Sequence, residues 1–444
     1  MGKLTKFAKK IIPAPLIEPL RRLYSHIVTY KQRKREVPLI KEAPLMHSKA
    51  LDKVRSKGEP FNVVFFALMD SVWKYDRLYQ LMEQDKRFNA VILVCPIVNY
   101  GRENMLNNMD KCYSMFKQKG YNVIRSYDKA TDTYVDVRKE LAPDLIFYTN
   151  PYQGLIDDRY YITQFPDILT LFTTYGFPES KSYSITFDSL FHNVLWRKYV
   201  DTEYRKSIAK RYSRVKGSNV IVSGYPGIDN FIRHPENVND VWPIKDRHVK
   251  RIIWAPHHTI TGYAFVNYST FLRYYQTMLD LAHKYKNNIQ IAFKPHPLLK
   301  NRLKIEWGEE KAHEYYNRWD SLSNGFVADG EYEDLFNTSD AIIHDSGSFI
   351  GEYLFTEKPG MFLENGIPDR EKYNDLAIQC LNHYYIGNNE DDIENFIQQV
   401  IRGEDPIKED RISFVKQELY PPNGKLASEN IMDDLISSLC PTKV

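Results

Sequence analysis

The chain has 444 residues, 43% apolar and 26% charged, with 23 prolines and 20 glycines, an ordinary globular composition that excludes disorder and collagen-like repeats. At about 100–200 residues per domain, this length predicts two domains, each able to bury a core and leave a cleft between them. The net charge of +3 is uneven: residues 1–35 carry ten basic side chains against one acid, Glu18, while the rest holds 50 basic and 56 acidic residues, a sign that excludes nucleic acid as a broad-face partner.

Residues 1–45 predict a basic amphipathic helical arm. Leu4, Phe7, Ala8, Ile11 and Ile12 share one helical face, and Leu16, Leu20, Leu23, Ile27 and Tyr30 repeat the pattern after the prolines. Such a segment suits an anionic membrane surface, contacted through residues 1–35, where each basic residue adds about 1 kcal/mol. The alternative is a helix packed on the body with a solvated basic face.

From about residue 60, short apolar runs alternate with amphipathic stretches. Val63–Leu68, Val91–Val94, Val123–Ile124, Leu145–Tyr148, Leu169–Phe172 and Val220–Val222 predict strands, with helices at about 74–84, 105–119 and 131–140. Apolar strands without alternation, separated by helices, predict a parallel sheet covered on both faces. After a loop at 233–248 a second set follows: strands at Ile252–Ala255, Ile289–Phe293, Phe326–Ala328, Ala341–Ile343 and Gly360–Leu363, and helices near 266–286, 331–337 and 349–355. The expected class is therefore α/β. Two Rossmann-like domains facing a cleft suggest the GT-B arrangement, with an arm (1–45), an N-terminal acceptor domain (46–235) and a C-terminal donor-nucleotide domain (236–444).

No apolar run approaches the ~20 residues that span a bilayer, and Pro13, Pro15 and Pro19 interrupt any signal-peptide core. Cys95, Cys112, Cys380 and Cys440 are scattered without a CxxC pair, which suits reducing cytoplasm and argues against a cysteine-based zinc site. Leu68-Met69-Asp70-Ser71 stands where a dinucleotide-binding GxGxxG would follow the first strand.

In an open parallel sheet, functional residues belong at the carboxyl ends of the strands. Three strand ends in the second domain run into Pro256-His257-His258-Thr259, Lys294-Pro295-His296-Pro297 and His344-Asp345-Ser346-Gly347-Ser348. Pro295 and Pro297 stiffen a loop that can hold Lys294 and His296 against a diphosphate; the plainer alternative is a turn histidine beside a solvated lysine. Ser346, Gly347 and Ser348 precede a helix and suit phosphate, or serve as a simple N-cap. Glu352, one turn on, can reach a ribose hydroxyl or lie on the surface. His257 and His258 suit a general base or a phosphate contact, and no carboxylate-rich motif accompanies them to suggest a metal.

These segments resemble the CDP-glycerol glycerophosphotransferase family, which includes teichoic-acid primases and polymerases. The resemblance rests on Ile252 to Pro256, Phe293 to Pro297, Ser339 to Ser348 and Glu357-Lys358-Pro359, with Val222 to Asp229 similar to a "GYPR-D" segment and Asn423 to Ser428 similar to "DGKAS". It implies a GT-B fold and peripheral association with the inner face of the cell membrane. It also implies transfer of glycerol phosphate or a related polyol phosphate from a CDP-activated donor to a glycan or lipid-linked hydroxyl, releasing CMP, with no tightly bound cofactor. Lys294, His296, Ser346, Ser348, Lys425 and Ser428 would then lie at the donor.

The chain departs from the family at its catalytic histidine. Thr174-Tyr175-Gly176-Phe177 stands where Trp-His-Gly-Thr is usual, and a phenol with an ordinary pKa near ~10 is a poor base at neutral pH. His258, His257 or Asp345 are the substitutes, with Tyr175, Gly176 and His257 expected on the acceptor side. The changes suggest a divergent branch acting on capsule, lipopolysaccharide or another surface glycan. Two alternatives stand beside this reading: a GT-B transferase using a nucleotide sugar, and a non-catalytic protein that binds polymer or lipid.

Overall fold

A computed structural model describes residues 14–99, 101–150, 152–232, 238–261, 268–365 and 369–441, with side chains except those of 14–26 and 369. The predicted arm residues 1–13 lie outside the described residues. Among the described residues, two wholly parallel main sheets form the two lobes.

The first sheet comprises β1 (Phe61–Ala67), β2 (Phe88–Val94), β3 (Val123–Arg125), β4 (Leu145–Tyr148), β5 (Leu169–Thr173), β6 (Arg197–Val200) and β7 (Val220–Val222), ordered β3-β2-β1-β4-β5-β6-β7. The second comprises β8 (Lys250–Ala255), β9 (Ile289–Phe293), β10 (Gly325–Val327), β11 (Ala341–His344), β12 (Gly360–Leu363) and β13 (Tyr385–Gly387), ordered β10-β9-β8-β11-β12-β13. Both orders reverse direction beside their first strand. Such a reversal opens a crevice outside the strand ends, here between β8 and β11, where Ala255 pairs with His344. The central strands of both sheets are buried on both faces, the reason their sequences are apolar without alternation.

Local structure departs from expectation in three places. The helix predicted at 131–140 is a small antiparallel pairing of Tyr127–Asp128 with Thr133–Tyr134, followed by a single turn, Val137–Leu141, capped by the Asp136 carboxylate. Its turn is nucleated by Asp128, which accepts the Ala130 N–H, a local bond that competes with helix. Strand β6 escapes an apolar-run search because it carries Arg197 and Lys198; burial of Lys198 is offset by a hydrogen bond from its ammonium to the Thr186 carbonyl.

The third departure concerns the domain boundary. Helix Ala427–Leu439 sends Ile431, Met432, Leu435 and Leu439 into the first lobe's core beside Leu78, Tyr79 and Met82. Asp229 holds its start, accepting the Ala427 and Ser428 N–H groups at 2.9 Å each. The chain therefore ends by returning to the lobe in which it began.

The long helix Ala14–Lys57 packs on the first lobe through Glu36, Ile40, Ala43, Ala50 and Val54. Arg214 pairs with Glu36 at 2.8 Å and Arg33 with Asp188 at 2.9 Å. The described part of the helix is packed on the body, as the alternative expectation has it, while Ile27, Tyr30, Val37 and Leu45 stay exposed on another face.

The loop after β5 crosses from the first lobe to the second. Asn374 donates from its backbone to the Glu179 carbonyl at 2.8 Å and from its side chain to the Pro178 carbonyl at 2.9 Å, while Lys181 N–H donates to the Lys372 carbonyl at 2.9 Å. Phe177 lies over Gly351, where an added Cβ would come within 2.3 Å of its ring, and Glu179 lies over Gly347, where a Cβ would come within 2.6 Å of Oε1. These glycines are required by close approach. Replacing Gly351 with Ala overfills the contact, with an expected loss of about 1–3 kcal/mol, read as an earlier midpoint in denaturant unfolding.

Candidate active site

The ends of β8, β9 and β11 converge as the strand order requires. The ring centroids of His258 and His296 are 4.1 Å apart, those of His257 and His258 4.2 Å, and those of His257 and His296 4.9 Å. The Lys-Pro-His-Pro loop is held by the backbone bond from His296 N–H to the Pro256 carbonyl, 3.0 Å, which couples it to the paired histidines.

Burial governs the chemistry of this cluster. It lowers His257 to about 2, His296 to about 3 and His258 to about 4. Mutual repulsion adds to the effect for His257 and His296, and Arg302 adds to it for His258. All three rings are neutral near pH 7. Candidate ligand atoms of the three lie within 4.8 Å of one another, a spacing able to hold a metal ion. The tautomer of His296 fits an anion better: its Nδ1 accepts the Leu298 N–H at 3.1 Å, so the neutral ring carries its proton on Nε2 and donates there.

Lys294 is 6% exposed and donates to the Gly330 carbonyl at 2.9 Å. Burial brings its ammonium down to about 8, so it is mostly cationic at neutral pH. A cavity of about 560 Å3 between the lobes is lined by Asp76, Asp329, Glu331, Glu333 and Asp334 against Lys119. That acidic lining repels a polyphosphate.

Four expected site residues are engaged elsewhere. Asp345 is fully buried and accepts from the His257 N–H, the Thr270 N–H and the Thr270 hydroxyl, the last at 2.8 Å. Although burial raises its pKa to about 6, its place is that of a brace joining β8, β11 and helix Phe271–Lys284. Glu352 is 1% exposed, its oxygens taken by the Tyr225 hydroxyl at 3.0 Å and the Tyr332 hydroxyl at 2.6 Å, which leaves no carboxylate presented to a ribose. Ser428 is fully buried at the start of the last helix, and Lys425 pairs with Asp433 at the surface.

The remaining expected residues gather at one place. Ser346 is nearly buried and Ser348 half-buried, with Gly347 between them. The helix that follows, Phe349–Glu352, is one turn long before it tightens at Tyr353–Thr356, so the hydroxyls and loop N–H groups matter more here than a helix dipole. From the opposite lobe, Gly176 reaches this loop, its Cβ position 3.9 Å from that of Ser348. The Tyr175 hydroxyl lies 3.0 Å from that of Tyr152, and burial pushes its pKa further up.

Sequence reading overlooked Glu179. It follows Pro178 on the loop that leaves β5 for the second lobe, six residues past the strand end. Its Oε1 accepts from the Tyr268 hydroxyl at 3.2 Å, and Tyr268 packs edge-on against His257 with centroids 5.4 Å apart.

Comparison with known proteins agrees with this architecture. The wall teichoic acid polymerase TagF superposes with a TM-score of 0.56 at 15% identity, over 95% of this chain and 98% of that one. A UDP-GlcNAc 2-epimerase from Neisseria meningitidis, bound to UDP-GlcNAc, superposes at 0.53 and 15% identity, over 84% of this chain and 99% of its own. These likenesses show the shared two-lobed GT-B fold. Two sequence relatives come from Staphylococcus aureus (strain NCTC 8325 / PS 47): the teichoic acid ribitol-phosphate polymerases TarL, 28% identical over 213 residues, and TarK, 27% identical over 213. The matches cover 46% of this chain but 36% and 39% of those proteins, so the chain spans well under half the length of the curated relatives it matches. The model of the CDP-glycerol:poly(glycerophosphate) glycerophosphotransferase family matches residues 193–437, a segment that contains all three converging strand ends. The chain belongs to that family.

Proposed function

We propose that the protein transfers glycerol phosphate, or a related polyol phosphate, from a CDP-activated donor to a hydroxyl of a surface-glycan or lipid-linked acceptor, releasing CMP. The observation that carries this reading is the pairing of a nearly buried Lys294 with His296 as an N–H donor on one stiff loop at the strand-order reversal, inside the segment the family model matches. A cation and a neutral donor fixed in a low-dielectric rim stabilise charge as it develops on a departing nucleotide. In this reading Ser346 and Ser348 contact phosphate, and the acceptor enters from the side of Tyr175 and Gly176.

Peripheral attachment at the inner face of the membrane completes the proposal. Its support is the stripe Ile27, Tyr30, Lys34, Val37, Lys41 and Leu45, which recurs every three or four residues and is exposed, the pattern of an interfacial helix. Among the described residues, no helix is long and apolar enough to cross a membrane.

Calorimetry should give tighter binding of CDP-glycerol or CDP-ribitol than of UDP- or GDP-sugars. Preference for a nucleotide sugar would instead make the protein a sugar transferase, and failure of a folded sample to bind any of them would favour a non-catalytic role. Because Lys294 loses its proton near pH 8, donor affinity should fall as pH rises through about 8, by up to about tenfold per unit. His296→Ala should abolish CMP release while the unfolding midpoint stays unchanged. Vesicles containing phosphatidylglycerol should capture the protein in flotation, and the double change Ile27→Asp, Tyr30→Asp should release it.

A further inference from the structure

We propose that Glu179 is the general base that takes the proton from the acceptor hydroxyl. This rests on the phosphotransfer reading above and supplies the group for which the sequence leaves an opening, because Tyr175 stands where the family's histidine is usual.

The other candidates are otherwise engaged. Asp345 is fully buried beneath three donors, and Glu352 is closed off by two tyrosine hydroxyls. The Tyr175 hydroxyl is held protonated by burial. The three clustered imidazoles are neutral, yet burial makes their protonated forms costly, and a ring that resists protonation is a weak base and a good hydrogen-bond donor. Glu179 is no more exposed than the histidines, but burial acts on a carboxylate in the opposite sense: it raises the Glu179 pKa, which strengthens it as a base.

Glu179 comes from the first lobe, on the loop expected to meet the acceptor, and its carboxylate lies directly over Gly347, the middle residue of the phosphate loop. The approach exists because Gly347 lacks a side chain. The Asn374 bonds on either side of Glu179 hold its backbone, and the Tyr268 hydroxyl orients Oε1. A hydroxyl that approaches a phosphorus seated at the Gly347 loop from the first lobe therefore meets this carboxylate. Charged and titratable neighbours act in both directions: Arg205 lowers the Glu179 pKa, Glu352 raises it, and the Tyr268 hydroxyl lowers it by hydrogen bonding. In the step itself, the acceptor oxygen forms a bond to the β-phosphorus while its proton passes to Glu179. The bond from that phosphorus to the bridging oxygen breaks, and its electron pair leaves with CMP. Glu179 then returns the proton to solvent.

The test compares wild type, Glu179→Gln and Glu179→Asp by CDP-glycerol calorimetry and by CMP release, with cell membranes stripped of peripheral protein supplying the acceptor. The expected result is donor affinity within twofold for all three proteins. Turnover of Glu179→Gln should fall by about 10²–10⁴-fold, with the rise of kcat with pH on the acid side lost, and Glu179→Asp should restore part of both. Turnover of Glu179→Gln within threefold of wild type, with donor binding intact, would overturn the assignment and leave the phosphotransfer reading standing. Parallel loss of donor binding or of folding in both variants would make Glu179 structural and overturn it equally. A wild-type protein that fails to bind CDP-glycerol would instead overturn the donor reading beneath it.

Discussion

The close approach of one first-lobe loop to one second-lobe turn is the contact on which the site depends. Phe177 and Glu179 reach across the cleft and settle on Gly351 and Gly347, four residues apart in the turn and short helix that follow β11. A Cβ at Gly351 would strike the Phe177 ring, and one at Gly347 would displace the Glu179 carboxylate. The hydrogen bonds of Asn374 and Lys181 fix the loop in that seat, and the return of helix Ala427–Leu439 to the first lobe gives the lobes a second tie. Local side-chain volume thus sets the distance between the two halves, and with it which groups face one another.

Within the second lobe, the organising element is the Asp345 brace. By accepting from His257 and Thr270 it joins a strand-end loop to the start of a helix, and the Pro256 carbonyl passes the constraint on to His296. The outcome is a cluster of rings and one ammonium that are positioned before any ligand arrives. Burial makes the rings neutral and draws Lys294 toward neutrality. An anion entering such a rim meets a lysine still mostly cationic at neutral pH and donors that are already oriented, with little water to compete with them.

Much of this was legible in the sequence. Apolar runs without alternation announced two parallel sheets, and the strand-end rule drew His257, His258, Lys294, His296 and the Asp345 to Ser348 segment together before any geometry was available. The roles within that set were less legible. Asp345, Glu352 and Ser428 sit in stretches that look chemically able, yet each is buried and engaged by partners distant in sequence: Thr270 for Asp345, Tyr225 for Glu352 and Asp229 for Ser428. Sequence spacing carries no signal for such pairings.

The sequence by itself determined the fold class, the edge of the second sheet at which chemistry gathers, and the absence of the usual histidine from the loop after β5. It could do so because periodicity, proline placement and strand ends are properties of neighbouring residues. Only the tertiary structure decided that Asp345 braces rather than reacts, that the last helix belongs with the first lobe, and that Glu179 lies over Gly347. Those outcomes depend on contacts between residues far apart in the chain: 75 positions for Asp345 with Thr270 inside the second lobe, and more for the last helix and for Glu179, which pack between the lobes.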